Sequence, residues 1–373
     1  MAKAIDIGTS FLVGAEMKNG QEYFTSERDA FFAMPKEDFA EEMLGRAGGS
    51  YLTKGNMLFV IGEDALKFSM LTGNHKDYRR PMAKGILNPG EEEAISMLEK
   101  LIEGVVGKAS SPGEVIAATV PASPIDSDLD VTFHRIVVER CLRRLGYEPK
   151  IINEAMGIVY YDNPSSEDDG ESIPFTGIGI SFGAGMTNLV VSWRAKKLFE
   201  ISVARGGDWI DSQVAQVRGL PVSKVTHVKE KRLDLASVDP KDPVQLALEI
   251  YYEELIRYTL ESFAHYFQTS SSDIDCPLDI VIAGGTASVP GFVDKFRNVL
   301  EAFELPIQVR DVRLSKDSLR APAGGALVAA LSMERRQAPP EKALPTPPDS
   351  QNRLSRNGQQ SSRPVEVETS AES

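Results

Sequence analysis

Gly177-Ile178-Gly179-Ile180-Ser181-Phe182-Gly183-Ala184-Gly185-Met186-Thr187-Asn188 is the stretch on which the reading of this chain turns. Apolar residues alternate up to Phe182, small residues hold the centre, and Leu189-Val190-Val191 resumes the apolar run. That is strand, tight turn, strand: a β-hairpin, not the strand–turn–helix of a dinucleotide or P-loop site. The N-terminus carries a second example, Ala4-Ile5-Asp6-Ile7-Gly8-Thr9-Ser10 followed by Phe11-Leu12-Val13. Small residues at a turn expose backbone N–H groups, and a row of such donors forms a concave seat for phosphate oxygens. Two such hairpins, one in each half of the chain, predict a nucleotide clamped between two domains.

Composition narrows the field. A chain of 373 residues can bury a large core, and two domains are its natural division. The net charge of −13 argues against nucleic acid as the main partner, which would call for a basic patch to neutralise phosphates. The two cysteines, Cys141 and Cys276, are far apart, so neither a disulfide scaffold nor a cysteine-rich zinc site is expected, and a reducing cytoplasm fits. No run is apolar enough to span a bilayer, and the start of the chain lacks a secretory pattern. His75, His134, His227 and His265 are scattered without ligand spacing.

Working outward, residues 1–24 read as a hairpin and 25–90 as mixed short strands. Ile95, Leu98, Leu101, Ile102 and Val105 predict a helix from Glu91 to about Val106, with acids in its first turn. Val115 to Val120 is a buried strand stopped by Pro121, and Asp126 to Leu145 a helix whose inner face is Phe133, Ile136, Val137 and Leu142. Ile151-Ile152-Asn153-Glu154 runs from strand into helix. Further helices are expected from just after Ala204-Arg205-Gly206-Gly207-Asp208 to about Arg218, and over Pro243–Phe267, Pro290–Phe303 and Ala323–Arg335, with a strand and glycine turn at Leu278–Thr286. From Gln337 on, Pro, Ser, Gln and Asn dominate, and 337–373 reads as a disordered tail.

These pieces, in this order, resemble the actin, MreB and DnaK-type ATPase superfamily, and the likeness covers nearly all of residues 1–336. The two hairpins look like its two phosphate motifs, Ile280 to Gly291 like its adenosine motif, and Ile151–Tyr161 and Ala321–Ala330 like its interdomain connecting helices. Phe59-Val60-Ile61-Gly62-Glu63-Asp64-Ala65 and Arg79-Arg80-Pro81-Met82-Ala83-Lys84-Gly85-Ile86-Leu87 are similar to stretches of the MreB-type bacterial actins. The resemblance implies an α/β, actin-like (ribonuclease H-like) two-domain fold with nucleotide in the interdomain cleft. It implies domain I over 1–153 with a returning helix over 320–336, and domain II over 154–319.

The same resemblance implies ATP and Mg²⁺ as cofactors. Asp6 would hold the hydrated metal, and the turns Gly8, Thr9, Ser10 and Gly183, Ala184, Gly185, Met186, Thr187 would face the phosphates. Glu154 would stand near the metal and the attacking water. Gly206, Gly207, Asp208 and Asp211 would lie near the ribose, Gly284, Gly285 and Thr286 near the nucleoside, and Lys229 and Lys231 are candidates on the adenine side. Ser181 stands where the family has Asp; serine brings no charge, so hydrolysis is expected to be slow. The water-orienting helix follows an insertion at Pro121 to Ile125, and Asp128 and Asp130 are its alternative candidates. The implied role is cytoskeletal: an MreB-like filament former acting in cell shape, the tail offering a second contact for a protein partner. The alternatives are a non-polymerising nucleotide switch that recruits a partner, and a serine hydrolase in which Gly179-Ile180-Ser181-Phe182-Gly183 is the nucleophile motif. That motif needs a helix after the serine, where the sequence has a strand.

Overall fold

The computed structural model describes residues 2–337 apart from 48, 73–76, 163–165, 169–170, 270–273 and 275. The tail read over 337–373 therefore lies outside the described residues, except Gln337, which ends the last helix.

The chain opens on β1 (Lys3–Ile7), β2 (Phe11–Lys18) and β3 (Gln21–Arg28). The hairpin expected over 1–24 is thus a three-stranded meander. Its second turn, Asn19-Gly20, has both residues at positive φ, the geometry whose twist matches that of the flanking strands. A side lobe follows, built from β4 (Phe31–Pro35), α1 (Asp38–Ala47), β5 (Tyr51–Lys54), β6 (Met57–Ile61), α2 (Glu63–Thr72) and β7 (Tyr78–Arg79), with strand order β5-β6-β4-β7. A small hairpin, β8 (Met82–Ala83) and β9 (Ile86–Leu87), leads back to the main body. There α3 (Ala94–Val106), β10 (Glu114–Val120), α4 (Val131–Arg144) and β11 (Tyr147–Asn153) complete a first large sheet, ordered β11-β10-β1-β2-β3.

After α5 (Glu154–Tyr161) and the short β12 (Ser166–Asp168) and β13 (Glu171–Ile173), the second half repeats this plan. It comprises β14 (Gly177–Phe182), β15 (Thr187–Trp193), β16 (Lys196–Val203), α6 (Gly207–Arg218), α7 (Val222–Lys231), α8 (Pro243–Thr269), β17 (Leu278–Ala283), α9 (Phe292–Glu301) and β18 (Val309–Leu314). Its sheet runs β16-β15-β14-β17-β18, the first sheet's order with each strand replaced by its counterpart. In both, the leading hairpin is antiparallel and the later strands join in parallel. Asp6 and Ser181 hold equivalent places, each two residues before the first glycine of its turn.

Two expected helices differ in detail. Glu91 and Glu93 precede α3 instead of filling its first turn, because their carboxylates pair with Arg79 (3.2 Å) and Lys54 (2.8 Å). The helix expected over 126–145 begins only at Val131, and Phe133 and Ile136 are exposed. Its inner face is Val131, His134, Val137, Val138, Cys141 and Leu142. A buried histidine joins that face because its Nδ1 accepts the Leu87 N–H (3.2 Å), which rotates the stripe away from the one the apolar residues alone suggest.

The helix α10 (Ala321–Gln337) packs Ala323, Ala326, Leu327 and Ala330 on the first sheet, while α5 packs Ala155, Ile158 and Val159 on the second. The two helices touch backbone to backbone: a Cβ on Gly157 would stand 2.6 Å from the Pro322 carbonyl oxygen, and one on Gly325 would collide with the Gly157 carbonyl. The larger core lies behind the second sheet, where the ring of Phe182 meets Phe292 edge-on at 4.9 Å, a geometry worth about 1 kcal/mol beyond its buried area.

Candidate functional site

One cavity of about 330 Å³ opens between the two large sheets. Asp6, Gly8, Thr9 and Ser10 line it from the first hairpin, and Ser181, Gly183, Ala184, Gly185 and Met186 from the second. Glu154, Asp208, Asp211, Lys229, Gly284, Gly285 and Thr286 complete the predicted set that the fold brings together. The hairpins close alike: Gly8 N–H donates to the Phe11 carbonyl (3.1 Å) and Gly183 N–H to the Met186 carbonyl (3.0 Å). Among the described residues, the N–H groups of Thr9, Ser10, Ala184 and Gly185 donate to nothing, so four donors line the cavity. The turns nearly touch, because Gly85 N–H donates to Thr9 Oγ1 (2.9 Å) and a Cβ on Gly185 would collide with both groups.

At the floor stand two buried carboxylates. Asp6 accepts from the Thr119 hydroxyl, Thr119 lying on the neighbouring β10. Glu154, the first residue of α5, accepts from Ser181 Oγ at 2.6 Å and from Asn188 Nδ2 at 2.9 Å. Ser181 and Asn188 are register partners on β14 and β15, so both project from the same face of the sheet. Burial raises the Asp6 carboxyl above its ordinary range, the Thr119 bond opposing it. Burial, then the charge of Asp6, raises Glu154, against the Ser181 bond. No Lys or Arg pairs with either carboxylate among the described residues.

This pair predicts a pH effect. Both carboxyls titrate higher in the folded than in the unfolded chain, so the native state holds more protons in between. Their contribution to stability is complete below the ordinary carboxylate range and is lost as pH rises through the raised values. The urea midpoint of the ligand-free protein is therefore expected to fall between about pH 5 and about pH 8, and Glu154→Gln to flatten that slope. A slope unchanged in the variant would reject the assignment.

Two carboxylates at a cavity floor, without a cationic partner and beside free N–H donors, fit a small hard cation that takes one or two carboxylates and completes its shell with water and phosphate. Asp6 and Glu154 are the residues that could hold it. Among the described residues no cluster of three or more His, Cys, Asp or Glu could hold a metal by itself.

Further along the cavity, Lys229 Nζ pairs with Asp211 Oδ2 (2.8 Å) and donates to the Gly207 carbonyl (3.1 Å), both side chains being buried. Thr286 Oγ1 donates to the Gly183 carbonyl (2.8 Å), tying the third glycine turn to the second hairpin. Gly284 has φ +99° and packs on the Phe182 backbone, which only glycine tolerates.

Six predicted residues are not on the cavity wall. Thr187 is buried with its hydroxyl on the Arg205 carbonyl (2.9 Å), and Gly206 and Gly207 lie behind Gly183 and Ala184. Lys231 is exposed at the end of α7, two residues past Lys229 and so on another side of the helix. Asp128 is exposed, and Asp130 caps α4 by accepting the Phe133 N–H (2.9 Å). Helix α4 begins only at Val131, and neither acid lines the cavity. His75 lies outside the described residues. Ser181 is 0% exposed, its hydroxyl is spent on Glu154, and a strand follows its turn, so the nucleophile elbow is absent.

The sequence reading missed Thr119, Asn188, Asp29 and Arg80. Asp29 is 0% exposed, raised well above its ordinary range by burial, and accepts the Met82 N–H (3.0 Å). Its signal was an acid directly before the apolar Ala30-Phe31-Phe32. Arg80 pairs across the cavity mouth with Asp208 at 2.8 Å.

The profile of the volactin family matches residues 1–330. The chain belongs to the volactin family. No match to a curated protein was found by sequence. Among solved structures, this volactin-family chain is similar to the MamK double helical filament at 17% identity, covering 90% of this chain and 99% of that one, with a TM-score of 0.64. MreB5 of Spiroplasma citri bound to AMPPNP aligns at 14% identity over 90% and 97%, TM-score 0.60. A non-polymerising MamK mutant bound to AMPPNP aligns at 18% over 88% and 98%, TM-score 0.52. At these identities the likeness is one of fold, and that fold is the actin-like α/β architecture expected from the sequence. Among the described residues no helix is long and apolar enough to cross a membrane.

Proposed function

We propose that this volactin-family chain is a cytoplasmic, actin-like cytoskeletal protein that binds Mg-ATP in the cavity between its two sheets and self-associates into filaments. The observation that carries the nucleotide reading is the facing pair of glycine hairpins, whose unpaired N–H donors share a cavity with the buried Asp6 and Glu154. The two domains are read as 1–153 with 320–336, and 154–319. The donors would seat the phosphates, Asp6 and Glu154 would hold Mg²⁺, and the Gly284–Thr286 turn and Lys229 would border the nucleoside. When bound, Mg²⁺ neutralises phosphate charge. The self-association reading draws on the MamK filament having this fold. A heterologous contact that does not close into a ring propagates indefinitely.

Calorimetric titration with Mg-ATP, followed by sedimentation and negative-stain imaging, tests both parts. Binding with ATP-dependent pelleting is the expected result. Binding without pelleting at any concentration replaces the filament with a nucleotide switch, and no binding removes the reading altogether. Turnover is expected to be slow, because Ser181 brings no charge beside Glu154. Ser181→Asp, assayed by phosphate release with Mg²⁺ in excess, is expected to accelerate it by about tenfold or more. A wild-type rate equal to that of ordinary members of the superfamily would show that the serine is no handicap.

A further inference from the structure

Asn188 is 1% exposed and uses both ends of its amide. Nδ2 donates to Glu154 Oε2 at 2.9 Å, while Oδ1 accepts from the Ala122 N–H at 3.3 Å and from the Ser202 hydroxyl. The partners dictate this orientation: a backbone N–H can only donate, and a carboxylate oxygen on the other side accepts. With Ser181 on Oε1, both oxygens of Glu154 are held, and one of the two holders is itself held from the other half of the molecule.

Ala122 belongs to the loop that leaves β10 of the first sheet, and that loop is stitched to the second half along its length. Pro124 bridges to Ser202, Ile125 N–H donates to the Ser202 carbonyl (2.9 Å), and Asp126 accepts from the Ala204 N–H (2.8 Å) and the Tyr258 hydroxyl (2.9 Å). If the two halves separate, these bonds go together, and Asn188 Oδ1 loses one of its two donors, the Ala122 N–H, while the Ser202 hydroxyl stays with it. A side-chain amide with one partner removed regains rotamer freedom, and its hydrogen bond to a buried carboxylate weakens accordingly.

We propose that Asn188 is a positioning residue that makes the setting of Glu154 depend on the docking of the Ala122–Asp126 loop against the second half. Docked, the loop orients Asn188, and Asn188 and Ser181 hold the Glu154 carboxylate toward the cavity floor. Undocked, Asn188 keeps only the Ser202 hydroxyl at Oδ1, and its hold on Glu154 weakens. The turnover arm of the test rests on the nucleotide reading above; the exchange arm does not.

The full-length protein is compared with Asn188→Leu and, in case that buried change impairs folding, Ser202→Ala, which removes one donor to Oδ1 and leaves Glu154 untouched. Amide hydrogen exchange across 122–126, without nucleotide, is expected to quicken about tenfold in Asn188→Leu and less in Ser202→Ala. Mg-ATP affinity, from titration with a fluorescent analogue, is expected to fall by less than about tenfold, since Asp6 keeps its hold on the cation, while single-turnover cleavage falls at least about a hundredfold. That split separates positioning from general damage, which would lower affinity and cleavage in proportion. Unchanged exchange, unchanged cleavage at equal binding, or a proportional loss of both would each overturn the proposal. Wild-type protein that binds no nucleotide overturns the nucleotide reading instead, and the exchange arm then decides the role of Asn188.

Discussion

Replacing Asp6 with asparagine is expected to weaken Mg²⁺-dependent ATP binding by about a hundredfold or more while making the ligand-free protein more stable. Both effects come from one carboxylate. Asp6 is 8% exposed, its hydrogen-bond partner is the Thr119 hydroxyl, and its charge bears on Glu154, a second carboxyl lining the same cavity. Asparagine keeps an oxygen for Thr119 and removes the charge, so the desolvation cost and the repulsion vanish together. The gain is about 1–3 kcal/mol at pH 8, where the wild-type carboxyl is pressed to ionise. With Mg-ATP present the sign reverses, because the charge that burdened the empty site is the one that would order the cation. Calorimetry and urea unfolding read the two arms separately. An unchanged Mg-ATP affinity would remove Asp6 from the metal site, and a stability loss without ligand would show that its role is structural.

Gly325→Ala is expected to cost about 4 kcal/mol or more, or to prevent folding outright. A Cβ there meets the carbonyl group of Gly157, backbone against backbone, so no rotamer change relieves the clash and α5 and α10 must part. Helix α5 carries the chain from the first sheet to the second and α10 returns it to the first, so the crossing sits where the two sheets' helices meet. Gly104→Ala in α3 is the control. A Cβ at Gly104 meets nothing within 4 Å, and that change should stabilise by about 0.5–1 kcal/mol through helix propensity alone. Urea unfolding followed by circular dichroism measures both. A Gly325→Ala protein as stable as wild type would refute the close crossing.

How much of this could be read before folding depends on how local each feature is. A hairpin is specified within about ten residues, by alternation on either side of small turn residues. That is why Gly8–Ser10 and Gly183–Gly185 were recognisable, and why Ser181 stood out against the motif. Amphipathic periodicity placed α3 and α8 for the same reason. It failed on the face of α4, because the histidine that belongs to the core is polar by itself and buried only through the Leu87 N–H. Asp29 carried the same signal as Asp6, an acid in apolar surroundings, but no glycine turn beside it to suggest a ligand.

The floor of the site was decided by tertiary structure. Thr119 reaches Asp6 only because β10 pairs in parallel with β1, a contact between strands more than a hundred residues apart. Ser181 and Asn188 read as the two ends of a turn; antiparallel pairing turns them to one face, and the start of α5 delivers Glu154 between them. The duplicated sheet order leaves no short repeat in the sequence, since it is a repeat of pairing and not of residues. Asp128 and Asp130 looked equivalent to a catalytic acid in the linear chain, yet the loop before them docks on Asn188 and Ser202 and leaves both acids exposed. Sequence alone determined which backbone turns this chain can make, because turn chemistry is local. Which side chains those turns hold together was decided by strand register and helix crossing, because carboxylates in a low-dielectric site answer to neighbours that only the fold supplies.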